Sequence, residues 1–303
     1  MKLSAINPSD RAQKILIYGP PKSGKTLLVG QLAEAGYTLD ILDLDNGCIT
    51  LVNHLSDEAK ERINVYAIPD TKERPQGIET VSQIFRDPLK QHKICELHGR
   101  INCPLCTREG KEFSVLDLTA YTNKHVLVID SFSQLSDSCM AYVASDVKGL
   151  DLNDKLGEYT RVEFKHFDAQ GRILSAICSA IQAAKFNVVV ITHEVDISKE
   201  DKSESLVPKA GTKNFAKVFG RYFDHVVYLE VMNRKHVAYS GTTEKPTVQV
   251  GGRSDVSIHN GGGLVNLLTG VAPAVESKSA VKTAAPAASV NMAKYAGILA
   301  AKK

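Results

Sequence analysis

Long apolar runs are absent from this 303-residue sequence, and none approaches the length needed to cross a bilayer. No leader of the secretory kind opens it either, so the expected compartment is the cytoplasm and no membrane partner is expected. Net charge is nearly absent, at a formal +3, which removes any argument for nucleic-acid binding from overall charge; a local patch has to carry it. Cysteine is scarce, with six residues, and in a reducing compartment clustered thiols read as metal ligands before disulfides. No internal repeat divides the chain. What remains is an ordinary globular composition, 43% apolar and 23% charged, long enough to bury one large α/β core or one core with insertions.

Short β-rich apolar runs alternate with helical stretches from Lys14 to about residue 270. The runs are "KILIYG", "YTLDILDL", "INVYAI", "HVLVID", "FNVVVIT" and "HVVYLEV", followed by "HVAYSG". Most are continuous in apolar character, as strands covered by helices on both faces are. The pattern predicts a doubly wound, mainly parallel sheet over residues 1–270. Residues 86–112, polar and cysteine-bearing, read as an insertion in that core. Residues 271–289 have the Ala, Pro, Ser and Lys composition of a flexible linker, and 290–303, "NMAKYAGILAAKK" preceded by Val290, reads as a short basic amphipathic helix.

The stretch "GPPKSGKT" follows the first apolar run and precedes the helical "LLVGQLAEAG". It fits G-x-x-x-x-G-K-[ST] in the strand-to-helix context that a phosphate-binding loop requires. Gly19, Pro20, Pro21, Lys22, Ser23, Gly24, Lys25, Thr26 and the adjoining Leu27 frame a nucleoside triphosphate. Backbone N–H groups and the positive end of the helix cradle the phosphates. Lys25 is expected to reach the β- and γ-phosphates, and the Thr26 hydroxyl to ligand Mg²⁺. "HVLVIDS" brings Asp130 to the carboxyl end of a buried strand as a second magnesium ligand. "ILDLDNG" places Asp43 and Asp45 two residues apart at another strand end; on an extended backbone they share a face, and one is placed to orient the attacking water. A capping or turn role for Asp45 is the plainer alternative. "NVVVITHE" ends in Thr192 and His193, polar groups near the γ-phosphate.

"CELHGRINCPLC" contains Cys95, His98, Cys103 and Cys106 as two close pairs. Three thiolates and one imidazole suit tetrahedral Zn²⁺, and four protein ligands close the site, which makes it structural. Unpaired thiols with a surface histidine are the alternative. Lys90, Lys93, Arg100, Arg108 and Lys111 allow the insertion to touch DNA, although acids share the segment. Cys48, Cys139 and Cys178 lack such partners and read as packing residues.

The order of these parts, P-loop, "DLDNG", "LVIDS", "VVITHE" and "GTKNFAKVFGRYFDHVVYL", resembles the RecA-like ATPase core. Over residues 14–250 it is similar to the phage-encoded RecA-like ATPases of the single-strand annealing and recombination type. The resemblance implies a DNA-dependent ATPase that binds ATP, Mg²⁺ and single-stranded DNA. It implies a homo-oligomer, ring or filament, in which one subunit's groups face the nucleotide of the next, and a host cytoplasmic setting. By the same resemblance Lys25, Asp45, Asp130 and His193 are the catalytic set. Asp45 stands where the family has a glutamate, one methylene longer, and His193 stands where a polar residue senses the γ-phosphate and leads into a DNA-binding loop. That loop is "VDISKEDKSESLVPKAGTKN". Lys209, Lys213 and Lys217, spaced by four, are its candidate phosphate contacts, against a solvated helix face as the alternative. Phe215, Phe219 and Tyr222 are candidate stacking aromatics, although helical spacing also fits a core. The tail after Val271 is a candidate dock for a single-strand binding protein.

Two other functions compete. One is a slow nucleotide switch that recruits a replication partner through the tail, which the shorter Asp45 favours. The other is a small-molecule phosphotransferase with a zinc-stapled lid, against which no arginine-rich lid segment is found.

Overall fold

A computed structural model describes residues 11–70, 75–145, 162–198, 205–241, 245, 247–252, 258 and 263–269. The expected linker at 271–289 and helix at 290–303 lie outside the described residues.

Each strongly β-branched run forms a strand: β1 (Lys14–Gly19), β2 (Thr38–Asp43), β3 (Ile63–Ala67), β6 (His125–Asp130), β7 (Asn187–Asp196), β9 (His225–Met232) and β10 (Lys235–Tyr239). The main sheet has the order β10-β9-β1-β7-β6-β2-β3. All pairs from β9 to β3 are parallel, and β10 closes that edge antiparallel. Two short strands missing from the sequence reading join it: β8 (Leu206–Pro208) on β7 and β11 (Gly251–Gly252) on β9, both antiparallel.

Alternate residues of the buried strands feed opposite faces. Leu16, Tyr18, Leu127, Ile129, Val188 and Val190 pack with α3 (Gln76–Arg86), α5 (Phe132–Ser145) and α6 (Phe164–Ala183). Ile15, Ile17, Val126, Val128, Val189 and Ile191 pack with α1 (Lys25–Glu34) and α8 (Leu264–Thr269) on the other face. The result is a helix–sheet–helix sandwich around a mainly parallel sheet, which is why the strand runs read as continuous apolar segments. Cys48, Cys139 and Cys178 are buried, unbridged packing residues.

The cysteine-bearing segment, expected at 86–112, is a hairpin that extends further. β4 (Gln91–Cys95) pairs antiparallel with β5 (Phe113–Asp117), and α4 (Pro104–Arg108) lies between them. Neither strand is evident in the sequence. The hairpin docks at the β3 edge: Thr80 Oγ1 donates to Gly99 O at 2.8 Å and Tyr66 Oη to Val115 O at 3.0 Å. Gly99 sits at φ 62°, and a Cβ there would meet Ile68 Cα at 2.6 Å, so the close approach requires glycine.

Candidate functional site

Register brings four strand ends to one edge. Gly19 of β1 lies opposite His193 of β7, and Asp130 of β6 lies opposite Asp43 of β2. In an open α/β sheet that carboxyl edge is where ligands bind. The P-loop leaves β1 at Gly19, whose absent Cβ would overlap Leu229 O at 1.9 Å, and enters α1 through Gly24 at φ 89°. Lys22 adopts φ 63° within the turn.

Lys25 folds back into the loop. Its Nζ donates to Gly19 O at 3.0 Å, Pro20 O at 2.7 Å and Ser23 Oγ at 3.4 Å. Burial pushes its pKa down to about 8, against the opposing pull of Asp130, Glu194 and Asp45. Thr26 Oγ1 donates to Asp130 Oδ2 at 2.7 Å. Burial raises the Asp130 carboxyl to about 6; the Thr26 hydrogen bond opposes that, and the charges of Asp43 and Asp45 add to it.

Hydroxyl and buried carboxylate form an all-oxygen donor pair suited to a hard divalent cation. Gly47 flanks it, where even a Cβ would come within 3.8 Å of both oxygens. Thr26 and Asp130 would hold Mg²⁺ there, and the ion when bound neutralises phosphate charge.

Asp43 and Asp45 do not share a face. β2 ends at Asp43, whose Oδ1 and Oδ2 accept the Gly47 and Cys48 N–H groups at 3.0 and 3.1 Å. Asp43 is therefore a buried turn cap, while the departing chain carries Asp45 out toward His193. Asp45 Oδ2 stands 3.8 Å from His193 Nε2. Burial lowers the His193 pKa, with Lys25 adding to that and Asp45 opposing it. The imidazole is thus biased toward neutrality, a form that can accept or donate a hydrogen bond.

His193 is held by a residue that carries no sequence signal. Ser133, in the first turn of α5, accepts the His193 N–H at 2.8 Å and lies 2.8 Å from Thr192 Oγ1. Thr192 spends its own proton on Lys209 O at 2.6 Å, so Ser133 donates to Thr192. The Lys209 N–H in turn donates to His193 O at 2.7 Å. His236 of β10 is a second unsignalled neighbour, with Nδ1 2.7 Å from Ser23 O. Both reach the site from elements more than a hundred residues past the P-loop.

The lysine triplet divides. Lys209 precedes α7 (Lys213–Phe219) and pairs with Asp137 at 3.0 Å, whereas Lys213 and Lys217 are exposed on that helix four residues apart. The single helical face expected for all three holds only for the latter two. The aromatic candidates are core residues: Phe219 and Tyr222 are buried, and Phe215 packs against the same cluster. Phe219 lies 4.5 Å from the Phe132 ring, which leaves it no face for a base. Part of the expected DNA loop is a hairpin, with Glu194, Val195 and Asp196 paired to Pro208, Val207 and Leu206.

Cys95, His98, Cys103 and Cys106 converge as the spacing predicts. Their ligand atoms all lie within 4.8 Å of one another, and the three sulfurs stand 4.0, 3.6 and 3.3 Å from His98 Nδ1. A tetrahedral zinc with ordinary bond lengths sets S···N near about 3.6 Å and S···S near about 3.8 Å. The donor set fits that ion, with the thiols buried. The knuckle docks at β3, four strand spacings or about 19 Å across the sheet from β1.

The P-loop, with the Thr26–Asp130 oxygen pair beside it at the carboxyl edge of the sheet, defines a nucleotide site of the P-loop class. The chain belongs to the family described as AAA domain, whose profile matches residues 11–254. Membership implies ATP, typically with Mg²⁺. No curated protein matches the sequence. Among solved structures, the RadB recombinase is similar at 14% identity over 76% of this chain and 80% of that one, with a TM-score of 0.38. An ATPase from the type III secretion system of pathogenic bacteria is similar at 10% identity over 74% of this chain and 53% of that one, with a TM-score of 0.36. Among the described residues no helix is long and apolar enough to cross a membrane.

Proposed function

We propose that this AAA-domain ATPase is a DNA-dependent, RecA-like enzyme of the phage recombination type. It binds single-stranded DNA and promotes annealing or homologous recombination as a homo-oligomer. Lys25 holds the β- and γ-phosphates, Asp45 orients the attacking water, and His193 reads the γ-phosphate. The zinc knuckle is a structural staple of the β3 edge. Its docking there, rather than at the P-loop, speaks against a phosphotransferase lid.

One observation carries the reading. β7 carries buried Thr192 and half-buried His193 to the carboxyl edge of the sheet, where Gly19 of the P-loop lies opposite His193, and its end pairs antiparallel with β8. Lys209, just past β8, is bonded through both its N–H and its C=O to those same two residues. Any shift of His193 on γ-phosphate loss is therefore transmitted to the segment that leads into α7 and its exposed Lys213 and Lys217. That hydrogen-bonded connection is the element both sites would bias if they are coupled.

The test is ATP turnover with and without single-stranded DNA. Stimulation is expected, and charge reversal at Lys213 and Lys217 (K213E/K217E) is expected to abolish it and flatten the salt dependence of DNA binding. Turnover indifferent to DNA in the wild-type protein would transfer the assignment to a nucleotide switch.

A further inference from the structure

The P-loop is gripped from outside by a residue that no motif marks. β9 and β10 form a hairpin that turns at Asn233 and Arg234, both left-handed at φ 50° and 62°, and its return strand brings His236 over the loop. His236 Nδ1 lies 2.7 Å from Ser23 O; a carbonyl only accepts, so the imidazole donates. The ring also covers Gly24, where a Cβ would come within 2.9 Å of Nδ1.

Ser23 C=O and Gly24 N–H belong to one planar trans peptide unit and point in opposite directions. With the Ser23 carbonyl held outward on His236, the Gly24 N–H points to the opposite side of the loop, away from that ring. Inward N–H groups are what a P-loop offers a phosphate. Without the grip, a glycine at φ 89° is free to rotate that peptide.

We infer that His236 is a positioning residue for ATP: through Ser23 it orients the Gly24 N–H toward the phosphates without touching the reacting atoms. The role rests on the P-loop as the ATP site. It is a ground-state binding role, because loop N–H contacts persist from substrate to transition state, so it acts on Kd and KM rather than on kcat.

The experiment compares wild type, His236→Leu, which keeps bulk without a donor, and His236→Asn, whose amide restores one. ATP affinity is measured by direct titration, KM and kcat by steady-state turnover, and unfolding midpoints without nucleotide. His236→Leu is expected to raise Kd and KM about three- to tenfold, the loss of one neutral hydrogen bond, with kcat unchanged. His236→Asn is expected to recover most of that loss, with midpoints within about 3 °C of wild type. Wild-type affinity in His236→Leu overturns the inference, as does equal weakening in both variants or weakening that follows a fallen midpoint. Wild-type protein that binds no ATP removes the site itself, a failure visible before either variant is compared.

Discussion

Lys25→Ala is expected to lower ATP turnover by at least about a hundredfold, the scale set by removing one preorganised charge partner from a transition state. The side chain is buried and bonded to two loop carbonyls, and no other described cation lies that deep in the loop. The core should survive, because the Lys25 ammonium bonds only within its own loop, to Gly19 O, Pro20 O and Ser23 Oγ. Turnover is measured at saturating ATP, with far-UV circular dichroism as the control; full activity would remove the P-loop assignment.

The same lysine sets a pH signature. Its pKa of about 8 in the ATP-free protein means that the cation needed for phosphate binding is lost as pH rises through 8. Asp130, raised to about 6, loses the carboxylate needed for the metal as pH falls through 6. Since kcat/KM reports the free enzyme, it should be bell-shaped with limbs near those two values. Stability should move the other way on the alkaline side. The unfolded chain keeps the lysine's ordinary 10.5 and binds more protons between 8 and 10.5, so Lys25 makes the ATP-free fold more stable as pH climbs through that window. A kcat/KM profile flat across pH 8 would take Lys25 out of the free-enzyme titration.

The P-loop was legible because its chemistry is local: a glycine-rich turn between a strand and a helix needs no tertiary partner to be recognised. The main-sheet strands were legible because burial on both faces writes continuous apolar runs such as "HVLVID". The Asp43–Asp45 pair misled because alternation holds only inside a strand. β2 ends at Asp43, and the turn that follows gives its carboxylate to Gly47 and Cys48. Ser133 and His236 were invisible for a different reason. A serine in the first turn of a helix and a histidine in an edge strand acquire meaning only from β-sheet order and register, which bring Ser133 under His193 and His236 over Ser23. Phe219 and Tyr222 carried two readings at helical spacing, and only their burial against Phe132 and the core decides between them. β4 and β5 escaped because a small hairpin folded around four ligands needs little apolar patterning of its own.

Replacing Cys103 and Cys106 together by serine is expected to empty a site that holds about one zinc per chain, and to lower the unfolding midpoint by at least about 5 °C. The three thiols form a small buried cluster with Phe113, separate from the main core. Zinc bound by these thiols and His98 would hold the turn between β4 and β5 closed. Ile94 and Leu116 of that hairpin nevertheless sit in the main cluster beside α3, so an opened knuckle loosens the β3 edge. The damage should stop there. β2, β6 and β7 stand between β3 and the P-loop strand, and ATP affinity measured on the serine variant should stay within about threefold of wild type. Proteolysis is expected to cut first within 91–117, the segment released by metal loss. Unchanged metal content by elemental analysis would reject the zinc site. Loss of ATP binding together with the metal would mean that the knuckle reaches the nucleotide across those strands, and the edge-staple role would give way to a direct part in the ATP site.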